Sequence, residues 1–540
     1  MNITTACYIM KEILSQPKKE GGTNMHIKKW IGGILFLLLF CSSTLPAKAD
    51  VPTTYQKREL RAAWIASVYN IDWPSQPGLP VEQQKKEFTY LLDEVQKMGM
   101  NAVVVQIKPT ADSFYPSKYG PWSEYLTGTQ GKDPGYDPLA FMVEEAHKRN
   151  LEFHAWFNPY RITMNHTDLN KLADNHPAKQ HPDWVVSYGK QLYYNPGIPE
   201  VKNFIIEEVL EVVRNYDIDA VHMDDYFYPY KIAGQTFPDQ KTYETYGAQT
   251  FSNIEDWRRD NVNQLVRDLN TAIKRTKSYV KFGISPFGVW RNIANDPTGS
   301  ETTAGQTNYD DLYADTRTWI QNGYIDYITP QIYWNIGFEP AAYDTLLNWW
   351  RDEVRGKPVH LYIGQAAYKI NNNAVEAWSD PDEYPRQIAL NHQFPEVHGS
   401  MHFSLKDLNR NPLGIKDKLQ NDIYKHPALI PAMPWLDDTA PKAPKLKNAG
   451  PHTKEAAFEI RDHQQNDSAY YAIYRFQGNK RGDINNAENL LTTVRKTGET
   501  QLFVDQSALK NQTYTYVVTS VDRLHNESDV SRTLTVKAPH

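Results

Sequence analysis

Cysteine is nearly absent from this chain: only two occur among its 540 residues, Cys7 and Cys41. Both precede Asp50, in a segment that we expect to be removed from the mature protein. A mature chain without cysteine has no disulfide bond, no thiolate ligand for a metal ion and no cysteine nucleophile. Any catalysis must therefore use oxygen or nitrogen groups.

Several motifs of metal and nucleotide enzymes are also missing. The sequence has no HExxH, no EF-hand loop and no GxSxG, and no glycine-rich nucleotide turn follows its first apolar run. The net charge of −6 becomes more negative once the lysine-rich leader is removed, which is unfavourable for binding nucleic acid. We therefore expect no metal, no cofactor and no nucleic-acid partner.

The N-terminal segment, residues 1–49, has the pattern of a short extension followed by a secretory signal peptide. Two lysines precede an apolar run that ends at Cys41, and the sequence AKA before Asp50 is an A-x-A cleavage site. The run is too short to span a membrane. We expect cleavage before Asp50, secretion without a remaining membrane span, and action outside the cell or in the cell wall.

The sequence is rich in a pattern of alternating strands and helices. Eight short apolar runs follow one another from Leu60 onward, and amphipathic stretches such as 81–97, 138–149, 201–214 and 256–276 lie between them. Eight parallel strands with right-handed crossovers close into a barrel. We predict the α/β class, with a (β/α)8 TIM barrel over residues 50–426. An open doubly wound sheet is the alternative, and the missing glycine-rich turn disfavours it.

The C-terminal part changes character. Residues 427–444 are proline-rich, and residues 445–540 contain short runs of period two separated by turn residues. We predict a linker with few contacts, followed by a small all-β sandwich. A barrel cut within the linker is then expected to fold alone and act on soluble oligosaccharides. We expect a monomer.

Two adjacent acids, Asp224 and Asp225, follow the fourth run in the sequence HMDDYFYP. Like charges repel, and burial of either is costly unless it is paired or used. Alternation along the strand sends His222 and Asp224 into the barrel interior and places Asp224 at the mouth, where active sites of such barrels lie. We predict that both acids are catalytic.

Polar and aromatic side chains end the other runs, and the chain holds 34 Tyr and 14 Trp. Tyrosine and tryptophan offer a flat apolar face with a polar tip, which suits a sugar ring. The predicted substrate-binding residues are Gln106, His154, Trp156, Asn158, Arg161, Tyr226, Tyr228, Trp290, Gln331, Tyr333, Trp334 and Asn335. The predicted partner is a glycan.

Two catalytic routes are open for such a site. In one, Asp224 or Asp225 is the acid, and a carboxylate from another strand, Asp112 or Glu339, is the nucleophile or base. In the other, the 2-acetamido group of the substrate attacks. One aspartate then stays ionised against the acetamide N–H, and its charge raises the pKa of the other toward that of a useful acid.

Five segments in chain order carry a resemblance that covers the whole predicted barrel: ELRAAWIASV, HAWFNPYR, DAVHMDDYFYP, GISPFGVWRN and ITPQIYW. Together they resemble glycoside hydrolase-like family 10. The resemblance implies a glycosidase-type barrel, and related members act on peptidoglycan glycan strands. The C-terminal part resembles a fibronectin type III domain, a common appendage of secreted carbohydrate enzymes.

The fourth segment is also similar to two other glycosidase patterns. It resembles the DGxDxDxE strand of family 18 chitinases, but Tyr226 stands at the position of the terminal glutamate. The adjacent acids are closer to the Asp-Asp pair of family 84 hexosaminidases, which use the acetamido route. We therefore expect a secreted glycoside hydrolase of N-acetylated cell-wall glycans. The alternatives are a non-catalytic cell-wall glycan-binding protein and a glycosidase of exogenous polysaccharide.

Overall fold

The computed structural model describes residues 54–449, 456–462 and 467–538. The predicted signal peptide and its cleavage site before Asp50 lie outside these residues. Within the described ranges, none of the helices combines the length and the apolarity that crossing a membrane requires.

Eight parallel strands close into a barrel in the order β1-β8-β7-β6-β5-β4-β3-β2. They are β1 (Leu60–Ile65), β2 (Ala102–Lys108), β3 (Glu152–Phe157), β4 (Ala220–Met223), β5 (Lys281–Ile284), β6 (Tyr327–Ile328), β7 (His360–Ala366) and β8 (Val397–Phe403). Seven of the eight predicted runs contain one of these strands, and the eighth, which begins at Gly399, overlaps β8. The prediction of a (β/α)8 barrel is confirmed.

Helices surround the barrel, and each of the longer ones buries one face. The longer ones are Val81–Lys97, Pro138–Lys148, Pro199–Asn215, Ile254–Thr276, Tyr343–Val354 and Glu383–Asn391. The shorter ones are Glu124–Thr127, Pro177–Gln180, Gln240–Tyr246, Asn308–Asp311, Thr316–Gln321, Leu405–Asn409 and Ile415–Lys418. In the first helix, Phe88, Leu92 and Val95 recur at helical spacing and are fully buried, so they form its inner face.

Strand β4 shows how alternation positions the site. Val221 and Met223 belong to the apolar layer between strands and helices. His222 points the other way, into the barrel, where its ring lies 5.9 Å from that of Trp64 and 5.9 Å from that of Tyr327. The same alternation brings the next inward-facing residue, Asp224, to the barrel mouth.

Gly283 in β5 leaves room for an aromatic ring inside the barrel. A Cβ added there would lie 2.1 Å from the Tyr327 ring, which is itself fully buried. We expect Gly283→Ala to lower the free energy of unfolding by about 1–3 kcal/mol, because a rigid buried ring must move. Chemical denaturation measures this. Gly305→Ala is the control, since nothing lies within 4 Å of its added Cβ; equal effects of the two changes would contradict the argument.

A β-sandwich follows the barrel, as predicted. One sheet has three strands in the order β9-β10-β13, and the other has four in the order β12-β11-β14-β15. The strands are β9 (Lys445–Asn448), β10 (Ala456–Arg461), β11 (Tyr470–Gln477), β12 (Leu490–Arg495), β13 (Thr500–Asp505), β14 (Thr513–Val521) and β15 (Leu534–Lys537). The specific resemblance to a fibronectin type III domain stays a prediction.

The proline-rich segment, residues 427–444, packs against the barrel, so the expectation of few contacts is wrong. The Leu429 N–H donates to the Lys57 carbonyl at 2.8 Å, and the Leu429 carbonyl accepts from the Glu59 N–H at 2.8 Å. Ile430 and Met433 are buried in the same cluster as the interior side chains of the barrel. The physical reason is that these apolar side chains cover the N-terminal end of the barrel.

The sandwich also contacts this end of the barrel through charged groups. His525 Nε2 lies 2.6 Å from Glu152 Oε1, and the Arg523 guanidinium bonds Asp219 at 3.1 Å. Glu527 of the sandwich pairs with Lys57 at 2.9 Å. Barrel and sandwich therefore share a buried polar interface.

Candidate active site

A cleft of about 420 Å³ lies at the C-terminal ends of the barrel strands. Its lining comprises Trp64, Ala66, Val68, Tyr69, Ile71, Gln106, Trp156, Arg161, Met164, Asp224, Asp225, Tyr226, Tyr230, Ser285, Gln331, Tyr333, Tyr368 and Phe403. A cavity of about 590 Å³ lies at the other end of the barrel, near the proline-rich segment. We take the mouth cleft as the candidate site because two buried neighbouring acids face it.

Asp224 is held from both sides by side-chain amides. Asn158 Nδ2 donates to Asp224 Oδ2 at 3.2 Å, and Gln331 Nε2 donates to Asp224 Oδ1 at 3.0 Å. The Asp225 N–H also donates to Oδ1, at 2.9 Å. All three donors hydrogen-bond the Asp224 side chain and fix its orientation in the cleft.

Gln106 ties this arrangement to the loop after β1. Its Nε2 donates to Asn158 Oδ1 at 2.7 Å, while its Oε1 accepts from the backbone N–H groups of Ser67 at 3.0 Å and Val68 at 2.9 Å. Both ends of the Gln106 amide are thereby assigned by their partners. The orientation of Asp224 thus depends on residues from β2, β3 and the β6 loop.

Asp225 has a different environment from its neighbour. It is 3% exposed, and Tyr230 donates its hydroxyl hydrogen to Asp225 Oδ2. Burial, together with the adjacent Asp224 carboxylate, raises the pKa of Asp225 well above its ordinary value, and the Tyr230 hydrogen bond opposes that rise. Asp225 is therefore suited to carry a proton at a pH where an ordinary aspartate is ionised.

Aromatic rings form the walls of the cleft. Trp64, Trp156, Tyr226 and Tyr333 all contribute to the lining. The Arg161 guanidinium lies 4.8 Å from the centre of the Tyr226 ring and donates to the Pro109 carbonyl, which orients it. Flat apolar surfaces beside hydrogen-bonding groups match the two faces of a sugar.

The structure brings most of the predicted site residues to one cleft. Asp224, Asp225, Gln106, Trp156, Arg161, Tyr226, Gln331 and Tyr333 line it. Asn158 lies behind Asp224 and bonds it.

Five other predicted residues lie away from the cleft. His154 is inside the barrel and bonds Glu152, and Tyr228 is buried and accepts from Asn261. Trp290 stacks on Trp349, Trp334 packs its edge against Phe287, and Asn335 donates to the Ile336 carbonyl. Trp290, Trp334 and Asn335 follow their strands in sequence, but none of them contributes to the cleft lining.

Several lining residues escaped the sequence reasoning. Trp64 and Phe403 lie near the C-terminal ends of β1 and β8, so strand alternation could have indicated them. Tyr69 and Tyr230 lie in loops, where no periodicity indicates direction. Tyr69 is 53% exposed, which makes it the most open large aromatic side chain of the cleft lining.

The two acids proposed from other strands lie elsewhere. Asp112 is buried and accepts from Thr110 at 3.0 Å and from Gln130 at 3.0 Å, and Glu339 is exposed on the surface. Among the described residues that line the cleft, Asp224 and Asp225 are the only acids. No group of three or more His, Cys, Asp or Glu is placed to hold a metal ion in the described ranges.

Comparisons with known proteins identify the family of this chain. The sequence model of the family described as glycosyl hydrolase-like 10 matches residues 59–380. The glycosyl hydrolase YngK of Bacillus subtilis is 69% identical over 482 residues, which cover 88% of this chain and 93% of that protein. The glycosyl hydrolase DigH of Escherichia coli K12 is 40% identical over 409 residues, which cover 70% of this chain and 92% of that protein.

Among solved structures, this chain is similar to the glycoside hydrolase domain of PgaB (BpsB) from Bordetella bronchiseptica. The identity is 12% and the TM-score is 0.43, with 68% of this chain and 99% of that domain covered. The sequence comparisons decide the assignment, because the family match spans more than half of the chain and includes both cleft aspartates. The chain therefore belongs to the glycosyl hydrolase-like 10 family and is a glycoside hydrolase.

Proposed function

We propose that the mature protein is secreted and cleaves glycosidic bonds in N-acetylated cell-wall glycan strands of the peptidoglycan type, with Asp224 and Asp225 as catalytic residues. The observation that carries this proposal is the pair of neighbouring acids, which are the only acids among the described lining residues of the cleft. A retaining mechanism with a protein nucleophile needs a second carboxylate across the scissile bond, about 5 Å from the acid. Attack by the substrate's own acetamido group needs only a neighbouring pair.

In the first step, Asp225 in its acid form donates its proton to the glycosidic oxygen. The acetamido carbonyl oxygen attacks the anomeric carbon as the bond to the leaving sugar breaks, which forms a cyclic oxazolinium ion. The Asp224 carboxylate accepts the acetamide N–H and stabilises the positive charge on this ring. Its amide donors, Asn158 and Gln331, hold it in place for that role.

In the second step, the Asp225 carboxylate takes a proton from water as that water attacks the anomeric carbon. The ring opens, the acetamido group is restored, and Asp225 is again protonated. This exchange of roles needs an acid whose pKa lies near the working pH, and the raised pKa of Asp225 supports it. The predicted signal peptide supports action outside the cell.

The test of this function is an incubation of the purified mature protein with three glycans. They are intact peptidoglycan, peptidoglycan glycan strands freed of stem peptides, and the same strands after removal of the N-acetyl groups. We expect cleavage products, identified by mass, from at least one of the two N-acetylated glycans and none from the deacetylated strands. Equal cleavage of the deacetylated strands would overturn the acetamido route, and no cleavage of either acetylated glycan would overturn the substrate.

The pH dependence of this activity is predicted to respond to Tyr230. Activity should fall as the pH rises through the pKa of Asp225, since the acid form is lost. The Tyr230 hydroxyl stabilises the carboxylate of Asp225, so Tyr230→Phe should raise this pKa further and move the alkaline limb of kcat/KM to higher pH. Tyr69→Phe alters another ring of the cleft and should leave the limb in place. A limb that moves to lower pH in Tyr230→Phe contradicts the assignment of Asp225 as the acid.

A further inference from the structure

A continuous chain of buried hydrogen bonds runs down the barrel axis from the floor of the cleft. Ser285 Oγ, in the cleft lining, lies 2.9 Å from His222 Nε2. His222 Nδ1 lies 3.0 Å from the Tyr327 hydroxyl, which lies 3.0 Å from His154 Nδ1. His154 Nε2 lies 2.9 Å from Glu152 Oε2, at the opposite end of the barrel.

The contacts at the upper end of this hydrogen-bond chain determine which nitrogen of His222 carries the hydrogen. The Trp64 indole nitrogen can only donate, and it lies 3.3 Å from His222 Nε2, so this nitrogen is an acceptor. Burial lowers the pKa of His222 well below its ordinary value, so the ring is neutral and carries its hydrogen on Nδ1. His222 must then donate to the Tyr327 oxygen.

The lower end of the hydrogen-bond chain is compatible with the same direction. Although burial opposes it, the charges of Lys281 and His525 hold the pKa of Glu152 well below its ordinary value, so Glu152 is a carboxylate that only accepts. His154 therefore donates from Nε2, and the Tyr327 hydroxyl, which accepts from His222, directs its own hydrogen to His154 Nδ1. Tyr327 then accepts from one histidine and donates to the other, so each bond along the chain has one donor and one acceptor.

The consequence reaches the cleft through Ser285. Because His222 Nε2 has no hydrogen, the Ser285 hydroxyl hydrogen points down to it, or to the Met223 carbonyl at 3.4 Å. Ser285 lines the cleft but is only 1% exposed, so the lone pairs of its Oγ would be met only by a substrate group that reaches the cleft floor. Asp224, held by Gln331, which also bonds the Ser285 carbonyl at 2.9 Å, is an acceptor as well.

We propose that Ser285 is a substrate-positioning residue that offers only hydrogen-bond acceptors to the sugar, and that the chain through His222, Tyr327 and His154 to Glu152 fixes it in that state. The inference rests on the proposed function for the identity of the ligand as a sugar. The group that Ser285 receives is then a donor, either a hydroxyl or an amide N–H. His525 of the sandwich bonds the same Glu152, so the C-terminal module contributes a hydrogen-bond partner to the carboxylate at the lower end of the chain.

The proton positions can be measured without any activity assay. In the mature protein with 15N-labelled histidine rings, long-range 15N–1H spectra distinguish the two neutral tautomers, and signals are assigned with His222→Gln and His154→Gln. We expect the Nδ1–H tautomer for His222 and the Nε2–H tautomer for His154. In Tyr327→Phe, His222 loses the acceptor of its Nδ1 hydrogen and should change to Nε2–H, with Ser285 Oγ at 2.9 Å accepting that hydrogen and the longer 3.3 Å contact from Trp64 being lost. A wild-type His222 with its hydrogen on Nε2 overturns the proposal.

Steady-state kinetics test whether the hydrogen-bond chain affects how Ser285 positions the substrate. Tyr327→Phe is expected to lower kcat/KM about tenfold on the glycan that the wild type cleaves. In this variant the His222 ring carries its hydrogen on Nε2 and donates it to Ser285 Oγ. The Ser285 hydroxyl hydrogen then points toward the cleft, where the wild type offers an acceptor. Tyr362→Phe is the matched control: its hydroxyl is equally buried inside the barrel and bonds His360 at 3.1 Å, outside this chain. It should leave kcat/KM within about twofold.

The two positions should also be coupled. Ser285→Ala removes the group that the chain orients, so adding Tyr327→Phe to it should cause little further loss. Additive losses, or equal losses in Tyr327→Phe and Tyr362→Phe, overturn the role in positioning. If the wild type cleaves no glycan, the proposed function fails by itself, and the histidine tautomers still decide whether the chain is directed as inferred.

Discussion

Asp225→Asn is expected to lower kcat on natural glycan strands about 10²- to 10⁴-fold, the usual cost of losing a general acid. Asparagine keeps the size of the side chain and can still accept from the Tyr230 hydroxyl, so the fold should persist. A substrate with a good leaving group needs less protonation of its glycosidic oxygen. Such a substrate should partly restore the first step in Asp225→Asn.

Asp224→Asn should lower kcat by a similar or larger factor, but a better leaving group should not restore it. Its carboxylate stabilises the positive charge of the oxazolinium ring, and that charge develops whatever the leaving group is. The neutral amide also removes the charge that raises the pKa of Asp225. The residual activity should therefore show an alkaline limb at lower pH than the wild type.

Asp112→Asn is the matched control for these two changes. Asp112 is 1% exposed and bonds Thr110 and Gln130, but it does not line the cleft. Its replacement should lower stability and leave kcat nearly unchanged. If Asp225→Asn behaves like Asp112→Asn, with a lower Tm, an unchanged rate and no leaving-group dependence, then Asp225 only stabilises its loop and is not the acid.

The strands and the acids of the site could be predicted from sequence because both follow from alternation. Period two in β4 puts Val221 and Met223 against the helices and His222 and Asp224 inward. The same rule brings Gln106 and Trp156 to the mouth. Within a strand, local backbone geometry determines which way each side chain points, so a single sequence is enough to predict that direction.

Residues beyond the strand ends were less predictable. Trp290 and Trp334 follow strands as Tyr226 does, yet their rings pack against Trp349 and Phe287 and do not line the cleft. Direction in a loop depends on partners that are distant in sequence. The chain of bonds through Tyr327 was invisible for the same reason, since it joins β3, β4, β5 and β6 across the barrel.

The role of the proline-rich segment could not be predicted from its composition. Prolines and turn residues are typical of linkers, but they do not exclude packing. The decisive feature is the four-stranded sheet, which is apolar on both faces. Tyr471 and Ile473 of β11 point into the sandwich, whereas Tyr470 and Tyr474 point the other way, into a cluster that contains Leu429.

Removal of the sandwich is therefore expected to destabilise the barrel rather than leave it intact. A chain of residues 50–444 keeps Leu429 but loses its cover, and Glu152 loses the hydrogen bond from His525. We expect its free energy of unfolding to fall by about 3 kcal/mol or more, the scale of uncovering a large apolar side chain and removing a partner of a buried carboxylate. Chemical denaturation of the 50–444 and 50–540 chains, followed by barrel tryptophan fluorescence, measures the difference.

Point variants distinguish coupled unfolding of the two modules from destabilisation that truncation itself causes. Tyr474→Ala opens a cavity on the face toward the barrel, and Tyr471→Ala opens one inside the sandwich; both side chains are fully buried. Each should cost about 3–5 kcal/mol at its own site. If the two modules unfold together, both changes lower the midpoint of the barrel signal. If neither substitution shifts the midpoint of the barrel signal, and the 50–444 chain is as stable as the 50–540 chain, the two modules unfold independently. If removal of the sandwich instead lowers the stability of the barrel, the C-terminal module is a structural part of the catalytic unit. The reason is that Glu152, the buried carboxylate at the lower end of the hydrogen-bond chain below the cleft, has His525 of the sandwich as a partner.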